Sequence, residues 1–222
     1  MTAAGRKRSP LWIKLAVALV VLAGVTVLFV RSLEDTRAEP YTVSRDLLRN
    51  WSVVIEPPAS PSGVVIALRP PSGLVSGLFR QVFSRAGESL STPAAPSMPL
   101  VLQAEFDRAF AGRVTPDVLA EAARHAGLES EPLQPRCLAY RRISDPGITR
   151  QLFFVLFDVP EFERFRQAVA ALLTAGAGPT ASFGPGALLP VLFIAASDAA
   201  FSRWLPLGAD ATEDCIAPIA VE

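Results

Sequence analysis

Two cysteines, one histidine, a few paired acids and a run of spaced arginines are the residues of this 222-residue chain equipped for chemistry. Cys137 and Cys215 are the only cysteines. In an oxidising compartment two cysteines most simply form one disulfide. The loop it would close, roughly eighty residues, carries a chain-entropy stabilisation of about 4 kcal/mol. The rival role, a reactive thiol, needs a lowered pKa, and Arg136 beside Cys137 is the basic neighbour that offers one. Neither cysteine has metal-ligand spacing to the other or to His125, so no metal site is expected.

His125 is the single histidine. It follows Val118 by seven residues, returns to nearly the same helical face beside Ala122, and is expected to be a half-buried packing residue. One histidine cannot supply a two-histidine hydrolase, and serines and acids are too plentiful for any one to be selected as its partner. Gly73-Leu74-Val75-Ser76-Gly77 has its serine one place off the nucleophile-elbow pattern and falls inside an expected helix. Residues 176–186, GAGPTASFGPG, have the composition of a phosphate cradle but run from a helix into a strand, the reverse of a phosphate loop. No catalytic or cofactor-binding residue is assigned, and no cofactor is expected.

Acids pair at Glu105 and Asp107, at Glu161 and Glu163, and at Glu213 and Asp214. On a strand, residues two apart share a face, so Glu105 and Asp107 would project together into a cleft or into water. Arg108 and Arg113 nearby favour ordinary solvated pairing. Arg136, Arg141 and Arg142 gather on one arm of an expected hairpin, with Arg142 opposite Arg141 by alternation. They are the candidate contact for an anionic partner, although a charged edge strand that discourages aggregation fits as well.

These side chains need a frame. Val64–Leu68 is expected to be a strand. Ser72 is placed to cap a helix whose Leu74, Val75, Leu78, Phe79, Val82 and Phe83 recur at three-four spacing and which Gly87 stops. A second strand is expected over Leu100–Phe106, and Thr115-Pro116 opens a helix ending at Gly127. Cys137–Ile143 and Ile148–Asp158 flank the turn Ser144-Asp145-Pro146-Gly147. The second arm is almost wholly apolar and so belongs in the middle of a sheet. Asp158 and Glu161 have capping-box spacing, and the helix that follows carries Phe162, Phe165, Val169, Leu172 and Leu173 on one stripe up to Gly176. Strands at VLFIAA (191–196) and Cys215–Val221, with a short helix around Phe201–Leu205, complete an α+β or mixed α/β pattern. A mixed sheet with helices mainly on one face is expected, with ferredoxin-like units as the simplest model.

Four segments follow. Residues 1–10 form a basic N-terminus, and residues 11–31 are expected to be a transmembrane helix. Residues 32–62 form a juxtamembrane segment closed by the Pro-rich PPASPSG, and residues 63–222 form one domain, long enough to bury about 70% of its unfolded surface. Leu11 to Val30 reads LWIKLAVALVVLAGVTVLFV. Twenty helical residues span the ~30 Å hydrocarbon layer, and the Leu, Ile, Val and Phe content contributes roughly −4 to −8 kcal/mol to insertion. Lys14 lies within reach of the headgroups. The alternative, a cleaved signal, lacks a small-x-small exit after Val30.

The formal net charge of zero hides a segregation: residues 1–31 carry +5 and the rest −5. The balance excludes a globally basic nucleic-acid binder. By the positive-inside rule the N-terminus is cytoplasmic and the remainder exported. No lysine follows Lys14 and Asn50 is the sole asparagine, a bias that suits a GC-rich bacterial genome and makes the outside a periplasm. The expectation is therefore a single-pass inner-membrane protein, held in the lipid bilayer through residues 11–31. Its exported domain contacts another envelope protein, without enzymatic turnover and without nucleic acid. The alternatives are a membrane-tethered hydrolase using His125 or a carboxylate pair, and a small-ligand-binding domain under the 176–190 loop.

Overall fold

The structure is a computed structural model describing residues 11–38, 40–58, 60–145, 147–175 and 183–222. It has two compact units, Met1–Glu39 and Pro40–Glu222. In the first, helix α1 runs without a break over Leu11–Ala38. Among the described residues no helix is long and apolar enough to cross a membrane. The side chains described without interruption in α1 are those of 15–28, all exposed and uncharged, which is about 21 Å of helix. The expected basic N-terminus, 1–10, lies outside the described residues.

The second unit comprises, in order, β1 (Tyr41–Val43), β2 (Ser52–Ile55), β3 (Val64–Arg69), α2 (Leu74–Ala86), β4 (Met98–Leu102), α3 (Gln103–Glu105) and α4 (Pro116–His125). Then come β5 (Gln134–Asp145), β6 (Ile148–Asp158), α5 (Pro160–Ala175), β7 (Val191–Ala196), α6 (Ala211–Asp214), β8 (Cys215–Ala217) and β9 (Ile219–Val221). The class is α+β, but its strands do not form one mixed sheet. They are divided between an antiparallel sheet β2-β3-β4, an antiparallel sheet β7-β6-β5-β8 and a parallel pair β1-β9. Nor are the helical units ferredoxin-like. In a split βαβ unit the helix joins parallel strands, whereas α2 joins β3 to β4 and α5 joins β6 to β7, each an antiparallel neighbour. Element order follows from apolar periodicity; which edges pair does not.

Residues 41–55, expected to lie in a juxtamembrane segment, belong to this unit. Trp51 is buried and meets the Phe157 ring edge-on at 5.5 Å. The outer edges of the two short strands are closed by side chains. The Gln81 amide accepts from Thr42 N–H and donates to Thr42 C=O, both at 2.9 Å. Glu129 accepts the Val53 N–H at 2.6 Å. Unpaired backbone groups of an edge are thereby satisfied without another strand.

Local differences also have physical causes. Gly73 at φ 105°, not Ser72, occupies the N-cap of α2, while Gly87 ends it in the left-handed conformation as expected. The strand expected over 100–106 ends at Leu102, after which the chain turns into α3 and a π-helical stretch, Phe106–Phe110. Glu105 and Asp107 are thus not strand neighbours. Helix α4 buries Leu119, Ala120 and Ala123 and leaves Val118 exposed. The face shared by Val118 and His125 therefore looks to solvent, and the His125 side chain is 79% exposed rather than half-buried.

Strand β6 lies inside its sheet and both of its faces are covered. Leu152, Phe154 and Leu156 join a cluster with Trp204 and Leu207. Phe153, Val155 and Phe157 join the main core with Val82, Leu119, Phe162 and Phe165 from α2, α4 and α5. Double coverage is why the strand is apolar at every position from Leu152 to Phe157.

Candidate functional site

The chemistry-bearing residues are held at the two covers of this sheet. On the side of Trp204, Cys137 and Cys215 form the disulfide expected of them, joining neighbouring strands β5 and β8. Neither is a free thiol. Next to it Arg141 binds Asp214 through both carboxylate oxygens, Nε to Oδ1 at 3.1 Å and Nη2 to Oδ2 at 2.5 Å, and donates to the Gly208 carbonyl at 2.9 Å. Asp214 is buried and also accepts the Asp210 N–H at 2.7 Å. This two-pronged geometry is the strong form of an arginine-carboxylate bond.

The three arginines expected to gather have different surroundings. Arg141 is held within the domain. Arg142 is exposed and faces Gln151 across the ladder. Arg136, half-exposed, sits at a register shift between Pro135 and Cys137 with its guanidinium 3.7 Å from Asp158. Glu213 and Asp214 separate in the same way, because only Asp214 is turned into the domain.

The other cover holds a group that sequence reasoning missed. Arg166 is fully buried on α5, and every one of its five N–H donors is used. Nε donates to Pro185 C=O at 3.2 Å, and Nη1 to Leu100 C=O at 3.2 Å and to Glu105 Oε2 at 3.0 Å. Nη2 donates to Glu105 Oε1 and to Gly184 C=O, both at 2.7 Å. The guanidinium carbon lies 4.1 Å from the centre of the Phe183 ring. Buried charge is tolerated when its hydrogen bonds are complete. The signal was available in spacing: Arg166 lies four after Phe162 and three before Val169, on the apolar stripe itself. Leu172, placed on that stripe from sequence, is exposed.

Between the two covers, where β6 ends and α5 begins, lies a cleft of about 680 Å³. Its apolar lining includes Leu156, Phe162, Leu188 and Leu189, and its charged lining is Arg136, Asp158, Glu163 and Asp210. Asp210 caps α6. Hydrogen bonds from the Thr212 hydroxyl and backbone N–H, helped by the nearby Arg136 charge, hold its carboxyl below the usual range. Both arginine networks reach this cleft: Arg166 pins the 184–185 backbone on one wall, and Asp214 pins the Asp210 N–H on the other.

His125 is not part of the cleft; its Nε2 lies 3.2 Å from Glu121 Oε1, one turn back on α4. Among the described residues no three His, Cys, Asp or Glu side chains are grouped to hold a metal ion. Residues 176–182, the glycine-rich part of the loop considered as a phosphate cradle, lie outside the described residues. Compared with known proteins, the chain matches no family model, and no curated protein or solved structure is significantly similar to it.

Proposed function

We propose that this chain is a single-pass protein of a bacterial inner membrane, N-terminus inside, whose second unit stands in the periplasm and docks another envelope protein. The anchor is supported by the apolar run from Leu11 to Val30 and by the +5 and −5 charge segregation around it. The export is supported by the Cys137–Cys215 bond, the state in which cysteines persist in an oxidising compartment.

The observation that carries the docking role is the use made of the reactive side chains. Both cysteines, Arg141 with Asp214 and Arg166 with Glu105 are engaged in holding segments of the fold together, beside a cleft whose charged lining is Arg136, Asp158, Glu163 and Asp210. A docking surface needs a preorganised shape more than a nucleophile.

Site-specific photo-crosslinking in cells from position 189, on the cleft wall, tests the reading. A defined partner is expected with the full chain and not with an anchor-only control; no partner enriched over that control would refute it. The cleft's volume, within the range of small-molecule sites, favours as second reading a small ligand of the envelope. Ligand-dependent thermal stabilisation that abolishes the crosslink would support that reading instead.

A further inference from the structure

We infer that the cleft at the end of β6 takes a cationic segment of a protein partner, an extended stretch in which Arg or Lys alternates with aliphatic residues. This rests on the docking reading above and gives it a surface and a chemistry. Leu156, Phe162, Leu188 and Leu189 supply apolar lining for the aliphatic side chains. Asp158, Glu163 and Asp210 stand against a single cation, Arg136, which lies 3.7 Å from Asp158. Arg136 acts on Asp158 and on Asp210 alike, so three carboxylates against one guanidinium leave the lining two negative charges in excess.

An anionic ligand would meet three carboxylates for one guanidinium and be repelled; a cation completes the balance. Glu163 also lies in the first turn of α5. The chain beyond residue 31 carries −5, so its long-range field attracts the same class of partner that the cleft fits locally. The walls are fixed before binding. Arg166 holds Gly184 and Pro185, and the Arg141–Asp214 pair holds Asp210, so little ordering remains to oppose association.

The test uses the full chain in a non-ionic detergent and fluorescence anisotropy with a labelled peptide, Gly-Leu-Arg-Leu-Arg-Leu-Gly, beside counterparts with Gln or Glu in place of Arg. The Arg peptide is expected to bind about tenfold or more tighter than the Gln peptide, and the Glu peptide weakest. Glu163→Lys should weaken the Arg peptide by about tenfold, and Arg136→Gln, which frees Asp158, should tighten it. Equal affinity for the Arg and Gln peptides, or a Kd unmoved by both substitutions in protein with unchanged circular dichroism, would overturn the inference. The two readings fail separately. A partner crosslinked in cells whose capture is indifferent to Glu163→Lys would sink the cationic cleft and leave docking intact. Charge-selective peptide binding with no partner captured would sink docking and leave the cleft chemistry.

Discussion

The two covers of the sheet β7-β6-β5-β8 hide comparable apolar faces by different means. Over Phe153, Val155 and Phe157 the cover is helical, from α2, α4 and α5, the last a 16-residue helix whose Phe162, Phe165, Val169 and Leu173 pack at regular spacing. Over Leu152, Phe154 and Leu156 it is the largely irregular segment 201–214, with Trp204 and Leu207 as its anchors. A helix satisfies its own backbone and needs only an apolar stripe. An irregular segment must be fastened at points: the Arg141–Asp214 fork holds this one, and the Cys137–Cys215 bond between β5 and β8 fixes the strand that directly follows it.

The quality of polar satisfaction differs in the same sense. All five donors of Arg166 are bonded under the helix, whereas the buried indole N–H of Trp204 has no acceptor among the described residues. A buried cation needs a complete network, whereas one neutral donor left unpaired costs far less than an unpaired charge.

The contrast is sharpest at Arg166. Replacing it with Ala leaves the Glu105 carboxylate and three carbonyls without their donor, and should cost about 4 kcal/mol in chemical denaturation. Removing the staple by Cys137→Ser with Cys215→Ser is expected to cost about 3 kcal/mol, read as a lowered denaturation midpoint, with reduction of the native protein giving the same value. Arg141→Ala, which strands the buried Asp214 but lies at a partly exposed edge, should cost about 2 kcal/mol by thermal unfolding. Were it to exceed the cost at Arg166, the distinction between the covers would collapse.

Trp204→Phe removes an unpaired donor along with some volume, so the two effects oppose each other. Stability within about 1 kcal/mol of the parent is expected. The smallest effect is electrostatic. Because hydrogen bonds hold the Asp210 carboxyl low, its contribution is present above the ordinary aspartate range and is lost as pH falls through the lower folded-state value. Thr212→Val should raise that value toward normal in an NMR pH titration and make acid sensitivity begin at higher pH. An unshifted titration would show that Thr212 does not set it.

How far each region was legible follows from the same difference. The β5–β6 hairpin, α2, α4 and α5 announced themselves through period and punctuation: Gly87 stops one helix, Pro116 starts another, and the hairpin forms where the turn was expected, though Ser144 and Asp145 still pair in its ladder. The disulfide was legible because only two cysteines exist. Glu105 was misplaced because Ala104 and Phe106 continue an alternation past Leu102, so the strand's end is not visible in hydropathy. Arg141 was offered to a partner because alternation shows that it faces away from Arg142 but not that Asp214 lies 73 residues on and within reach.

By itself the sequence determined the periodic elements, the segregation of charge around an apolar run, and the pairing of the two cysteines. These are local or compositional properties, set by side-chain spacing and count. Only the tertiary structure decided which strand edges meet, that residues 41–55 join the domain, that Arg166 and Arg141 are held within it, and that a cleft opens between the covers. Each of those depends on contacts between residues far apart in the chain, where geometry and the requirement that buried polar groups find partners select one arrangement from many that the local pattern permits.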